Sequence, residues 1–345
     1  MRILVGMMHP KHVYMFKNFI HAMESRGHEV EIVAIEKDVT VALLKKFGLP
    51  FKIIGKNPST ISGKILSLPQ WTYQTLKIAR RFKPDIFIGQ AFPHFAYISA
   101  FQKKPFVIFE DSEPAHVVQA ITFPLASCII TPSCYRENLG KKQKKFNGYF
   151  ELAYLHPNHF SPSESVLEEI GIKKGEQFVV VRFVSWKAVH DIGQEGGFDQ
   201  EKKRELIREL SKHCHVVISS ESPLPHDLEE YRISLSPEKI HHLLYYASLL
   251  IGDSQTMTTE AGILGTPAIR SNSFVGPNDM GNFIELEHTY ELIFNYRDPD
   301  KAIEKAVELI HDKNLKEKWK EKRDFLLKEK GDCAQFMVEF IETYE

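Results

Sequence analysis

Short apolar runs alternate with helix-length amphipathic segments along the whole chain, and this alternation is what most narrows the fold. In the first half the runs fall at 2–6, 29–35, 51–54, 85–89, 105–109 and 128–131; in the second at 178–183, 215–219, 248–252, 267–270 and 290–294. Unbroken apolar runs mark strands buried on both faces. Strands that alternate with helices make a parallel sheet with helices packed on either side. The segment after the first run shows the helical half of the pattern, with Val13, Phe16, Phe19, Ile20 and Met23 at three- and four-residue steps and Gly27 as a stop. The rhythm breaks at ELAYLHPNHFSPSESV (151–166), where Pro157, Pro162 and three serines intervene, and then restarts. The expectation is an α/β protein of two doubly wound, Rossmann-like domains facing a central cleft. The first spans 1–156 and the second 157–330, with 331–345 forming a C-terminal helix that crosses back to the first domain.

Composition removes several function classes. Lys+Arg (44) and Asp+Glu (45) nearly cancel, so no global field draws the chain to nucleic acid or to an anionic membrane. The four cysteines are scattered with no C-x-x-C pair, which argues against structural zinc and disulfides and for a reducing cytoplasm. MRILVGMMHP reads as a strand from the outset rather than as a signal peptide, and no apolar run approaches the ~20 residues of a membrane-spanning helix. No G-x-G-x-x-G follows the first strand, so a nicotinamide enzyme is disfavoured. GKNPSTISGK (55–64) lacks the glycine and Ser/Thr of a phosphate-binding P-loop. His213, Cys214, His215, His241 and His242 have no second ligand pair at metal-site spacing. Neither a metal nor an organic cofactor is expected.

The stretch GDSQTMTTEAGILGTPAIR (252–270) carries the most chemical information. Ser254 stands between a strand and a helix as an N-cap, which leaves the first-turn amides of Gln255, Thr256 and Met257 pointing out beside the positive helix end. That arrangement is a ready phosphate site. Thr256 and Glu260, one turn apart, share a face on which a carboxylate could accept ribose hydroxyls. The plain alternative is a capped helix with a solvated glutamate.

This run, with RFVSWKAVHDIG (182–193) and the N-terminal MRILVGMMHPKHVYMFK, resembles the DUF354 family nearly end to end. More distantly it is similar to GT-B nucleotide-sugar enzymes, namely the non-hydrolysing UDP-N-acetylglucosamine 2-epimerases and the MurG-like glycosyltransferases. In that signature Ser254 takes the place of the phosphate-site serine, Glu260 that of the ribose-binding glutamate, and Gly265 and Pro267 the closing Gly-x-Pro. Gln255 and Thr256 replace two small residues. The resemblance implies a nucleotide-sugar donor, most simply a UDP-sugar, and a sugar or lipid-linked acceptor. It places Arg182, Ser185 and Lys187 near the diphosphate and makes His190 and Asp191 candidates for orienting or transferring a proton. On the first domain His12 (with His9) and Glu113, in the acidic loop FEDSEPAH (109–116), are the candidate bases. The epimerases' aspartate after the preceding strand is replaced here by the run Gly89-Gln90-Ala91. Three functions stay open: a metal-independent glycosyltransferase, a 2-epimerase-like isomerase, and a non-catalytic nucleotide-sugar binder. Segment 64–81 mixes Trp71, Tyr73 and basic ends. It leaves room for peripheral contact with a membrane, although core packing is the commoner role of such a stripe.

Overall fold

The computed structural model describes residues 1–184, 196–221 and 223–344. They form two compact units, Met1–His159 with Gly331–Glu345, and Phe160–Lys330. The first contains β1 (Arg2–Met7), α1 (Pro10–Ser25), β2 (Glu29–Glu36), α2 (Thr40–Lys46), β3 (Phe51–Lys56), α3 (Ile61–Phe82), β4 (Ile86–Gly89), α4 (Pro93–Gln102), β5 (Phe106–Phe109), α5 (His116–Thr122), β6 (Cys128–Pro132), β7 (Gln143–Phe146) and α6 (Leu152–Leu155). The second contains α7 (Ser165–Glu169), β8 (Phe178–Phe183), α8 (Gln200–Ser211), β9 (His215–Ser220), α9 (Ile240–Tyr246), β10 (Leu249–Gly252), α10 (Gln255–Leu264), β11 (Ala268–Ser271), α11 (Gly281–His288), β12 (Ile293–Tyr296), α12 (Pro299–Ile310) and α13 (Leu315–Glu329). Helix α14 (Cys333–Glu342) then packs on α1 and α6 of the first unit.

Both sheets are parallel throughout, in the orders β3-β2-β1-β4-β5-β6-β7 and β12-β11-β10-β8-β9. Their strands are apolar on both faces because helices cover both. Ile3, Leu4 and Val5 of β1 and Val179, Val180 and Val181 of β8 are 0% exposed. From β1 the chain winds outward to β3, returns through α3, and winds the other way from β4 to β7. Right-handed crossovers put α1 and α2 on one face and α3, α4 and α5 on the other. The direction reverses between β1 and β4 in the first sheet and between β8 and β10 in the second. At such switch points the loops leaving adjacent strands diverge, and the space beyond the strands' carboxyl ends opens to a ligand.

The strand pattern read from sequence is present in both units, with two differences. β7 (QKKF) went unrecognised because an edge strand needs no unbroken apolar run. The last strand is β12, at Ile293–Tyr296 rather than 290–294. Tyr290 instead precedes it, buried, with its hydroxyl donating to Glu329 at 2.9 Å.

Candidate functional site

In the second unit the switch point is built on Gly252-Asp253-Ser254. β10 pairs closely with β8 there. A Cβ added at Gly252 would lie 2.0 Å from the Arg182 carbonyl oxygen, so only glycine lets the two strands meet. Asp253, 2% exposed, accepts from the Val184 amide at 2.9 Å and ties the end of β8 to the end of β10. Its carbonyl receives the Asn272 side-chain amide from beyond β11 at 3.2 Å. Ser254 then caps α10, its Oγ accepting from Met257 N–H at 3.3 Å. The first-turn amides of Gln255 and Thr256 have no partner among the described residues, and both residues are half-buried at the rim. At the other end Gly265 takes φ +78°, and Thr266 N–H returns to Ala261 O at 2.9 Å, which fixes the helix stop. The result is a rigid helix whose positive end faces the switch point.

The remaining expected positions divide. Glu260 does not look outward with Thr256. It is 4% exposed, and its Oε1 lies 3.0 Å from His241 Nε2 on α9. The reason is packing: from Met257 to Leu264 every residue of α10 is buried, so the face one turn past Thr256 lies under α9 rather than in solvent. Arg182 is turned along the sheet toward β9, where it donates to Ser219 Oγ at 2.8 Å and pairs with Glu221. Ser185, Lys187, His190 and Asp191 lie outside the described residues. Arg270 at the end of β11 was not singled out by sequence. It is 0% exposed, paired with Asp279, bonded to Asn295 Oδ1 at 2.8 Å, and stacked 3.5 Å from the Phe283 ring. An arginine directly after the apolar Pro267-Ala268-Ile269, inside a buried strand, was the available signal.

In the first unit the switch point holds a largely buried polar network drawn from the start of α1, from the segments that follow β4 and β5, and from Glu151 just before α6. His12 Nδ1 accepts from Met8 N–H at 3.0 Å, which places the ring proton on Nε2, the donor to Gln90 Oε1 at 2.7 Å. Gln90 in turn reaches Asp111 Oδ1 at 3.4 Å. Lys11 pairs with Asp111 and sits 3.0 Å from Glu151 Oε1. Burial opposes the Lys11 ammonium, but the two carboxylates outweigh it and hold it above the ordinary lysine range. Burial lowers His12 to about 3, so the imidazole is neutral and, in this tautomer, a hydrogen-bond donor. Glu110, 2% exposed, is pushed up to about 8 by burial and then by Asp111, against the Ser112 amide that bonds it at 3.0 Å. Glu113, 9% exposed, accepts from the Arg136 amide at 3.3 Å. Lys11, Gln90 and Glu151 were missed as site residues because they converge only in three dimensions.

A family model described as a protein of unknown function, DUF354, matches residues 1–344. An uncharacterized protein of Methanocaldococcus jannaschii is 23% identical over 282 residues, 77% of this chain and 80% of that protein. Among solved structures, UDP-GlcNAc 2-epimerase from Neisseria meningitidis bound to UDP-GlcNAc superposes with a TM-score of 0.67 at 12% identity, covering 99% of this chain and 100% of that one. The spinosyn rhamnosyltransferase SpnG complexed with thymidine diphosphate gives 0.66 at 14% identity, with the same coverage. The glycosyltransferase VinC in complex with dTDP gives 0.63 at 13%, covering 99% of each chain. These likenesses show the fold, two Rossmann-like domains of GT-B type.

Proposed function

The chain belongs to the DUF354 family, and on that premise we propose that it binds a nucleoside-diphosphate sugar and transfers the sugar to an acceptor. One observation carries the reading: α10 is capped by Ser254 at the switch point of its sheet, and the amides of Gln255 and Thr256 at its N-terminus have no partner among the described residues. A diphosphate meets there both the amides and the helix dipole, worth roughly 0.3–1 kcal/mol at an exposed end and up to ~2 kcal/mol when partly buried. The Thr256 hydroxyl adds a donor at the rim. Glu260 serves the ribose in this reading if the two hydroxyls replace His241 as its partner, and a UDP-sugar is the donor to try first. Arg182 would stabilise the leaving diphosphate by exchanging Glu221 for it. Among the first unit's groups, the carboxyls Glu110 and Glu113 suit proton acceptance better than His12, whose two ring nitrogens are both engaged. His12 is a locked donor, whereas Glu110 titrates near neutral pH.

A second reading, a 2-epimerase-like isomerase, is favoured by the same Glu110. A carboxyl group poised near neutrality suits proton removal and return at sugar C2, with the nucleoside diphosphate leaving and re-adding at C1. Incubation with nucleotide sugars in deuterium oxide, with and without candidate acceptors, separates the two. Transfer predicts nucleoside diphosphate release that depends on acceptor and no deuterium in the donor. Isomerisation predicts deuterium at C2 without acceptor. Neither release nor exchange with any donor that binds would leave a binding protein and refute both.

A further inference from the structure

The helical layer formed by α3, α4 and α5 has a surface unlike the rest of the molecule. Twelve large apolar side chains are exposed among the described residues, and eight of them lie on this layer and its following turn Phe123–Leu125. Leu66 is 78% exposed, Phe101 69%, Val117 68%, Ile65 66% and Tyr73 65%. The second unit contributes one, Phe325. The three helices share one face of the sheet by the handedness of their crossovers, and each packs on the next. On α3 the outward stripe runs Leu66, Pro69, Tyr73, Lys77, Arg80, so its first half is apolar and its second half basic.

Charge tells what covers this face. Asp and Glu make up 45 of the chain's 345 residues, yet α3, α4, α5 and the turn contain none. They carry Lys64, Lys77, Arg80 and Arg81, and the last three are exposed and without an ion pair among the described residues. A protein partner for a large apolar face needs no such exclusion of acids, because rim charges of both signs serve an interface between proteins. A negatively charged bilayer does need it. Its headgroups repel every carboxylate and attract every base, while its acyl boundary accepts leucine and aromatic side chains.

We propose that the α3–α4–α5 layer docks the protein peripherally on an anionic lipid surface, with Leu66 and Phe101 entering the acyl boundary and Lys77, Arg80 and Arg81 meeting the headgroups. No helix of the described residues is long and apolar enough to span a membrane, so the contact lies in the interface. The proposal is independent of the donor reading, and loss of nucleotide binding would leave it standing.

Flotation of the full chain with vesicles of phosphatidylcholine alone and of phosphatidylcholine with phosphatidylglycerol tests it. Wild type is expected to float with the anionic vesicles, less so as salt rises, and not with the neutral ones. Each base near the surface is worth roughly fivefold, so Lys77→Glu/Arg80→Glu/Arg81→Glu is expected to weaken partition by roughly a hundredfold or more. Leu66→Glu/Phe101→Glu is expected to abolish it, and Phe325→Glu to leave it unchanged. All these sites are exposed, and melting curves like wild type's would establish that each variant is folded. No flotation of wild type, or flotation that survives both layer variants, overturns the proposal. So does loss, in those variants, of a self-association measured without lipid, which would make the face a contact between copies.

Discussion

Lys11→Met would leave two buried carboxylates without their cation. The ammonium lies 3.0 Å from Glu151 and closer still to Asp111, with side chains 14%, 3% and 11% exposed, so water supplies little compensation. Removing one partner of a buried, hydrogen-bonded pair costs about 3–5 kcal/mol, chiefly by stranding the other charge. For a unit of this size each kcal/mol lowers the melting temperature by about 2–4 °C, which places the first unit's melt about 6–20 °C lower. The cost should depend on pH. Burial already raises Glu151, and Lys11 is what opposes that rise. Without Lys11 the folded-state pKa climbs further above the unfolded value. The carboxyl's contribution is then intact in acid and lost as pH rises through the folded pKa. Calorimetry between pH 5 and pH 8 should show a deficit that is larger at pH 8, and Lys11→Met/Glu151→Gln should recover part of it. A deficit under about 1 kcal/mol, equal at both pH values, would refute this account of the network.

Glu110 supplies a second test with its own sign. Its folded pKa near 8 stands above its ordinary value of 4.5, so the native state holds a proton that the unfolded chain has released. Stability should therefore fall by a few kcal/mol between about pH 5 and pH 8, and Glu110→Gln should flatten that slope in melts across the range. At the other switch point, Gly252→Ala should cost about 3 kcal/mol or more, or prevent soluble expression, because the neighbour it meets is the Arg182 backbone. A melt like wild type's would show that β8 and β10 can separate freely there.

How much of this was legible beforehand follows from where each signal is stored. Runs such as ILV (3–5) and FVVV (178–181), buried on both faces, leave an unbroken apolar trace, and Ser254 and Gly265 bracket a helix by local backbone chemistry. Those features are readable within a few residues. The partners of charged side chains are not. That Glu260 faces His241, that Arg182 turns toward Ser219 and Glu221, and that Lys11, Gln90, Asp111 and Glu151 share one buried network all depend on which strand ends the topology makes adjacent. Glu260 also shows the limit of helical spacing. Position i+4 from Thr256 defines a face, but only the packing of α9 decides whether that face meets solvent or protein.

The most direct measurement is calorimetric titration of nucleoside diphosphates and their sugars into wild type and Thr256→Glu. Thr256 is half-buried at the amide end of α10, so the new carboxylate is tolerated by the fold and, beside the helix dipole, should raise the ligand-free melt slightly. It also occupies the position a diphosphate would take. The account predicts that wild type binds one nucleotide family and that Thr256→Glu, folded and no less stable, binds it at least tenfold more weakly. Equal affinity in the two proteins, or no binding by wild type, would contradict the claim that the helix end receives the phosphates.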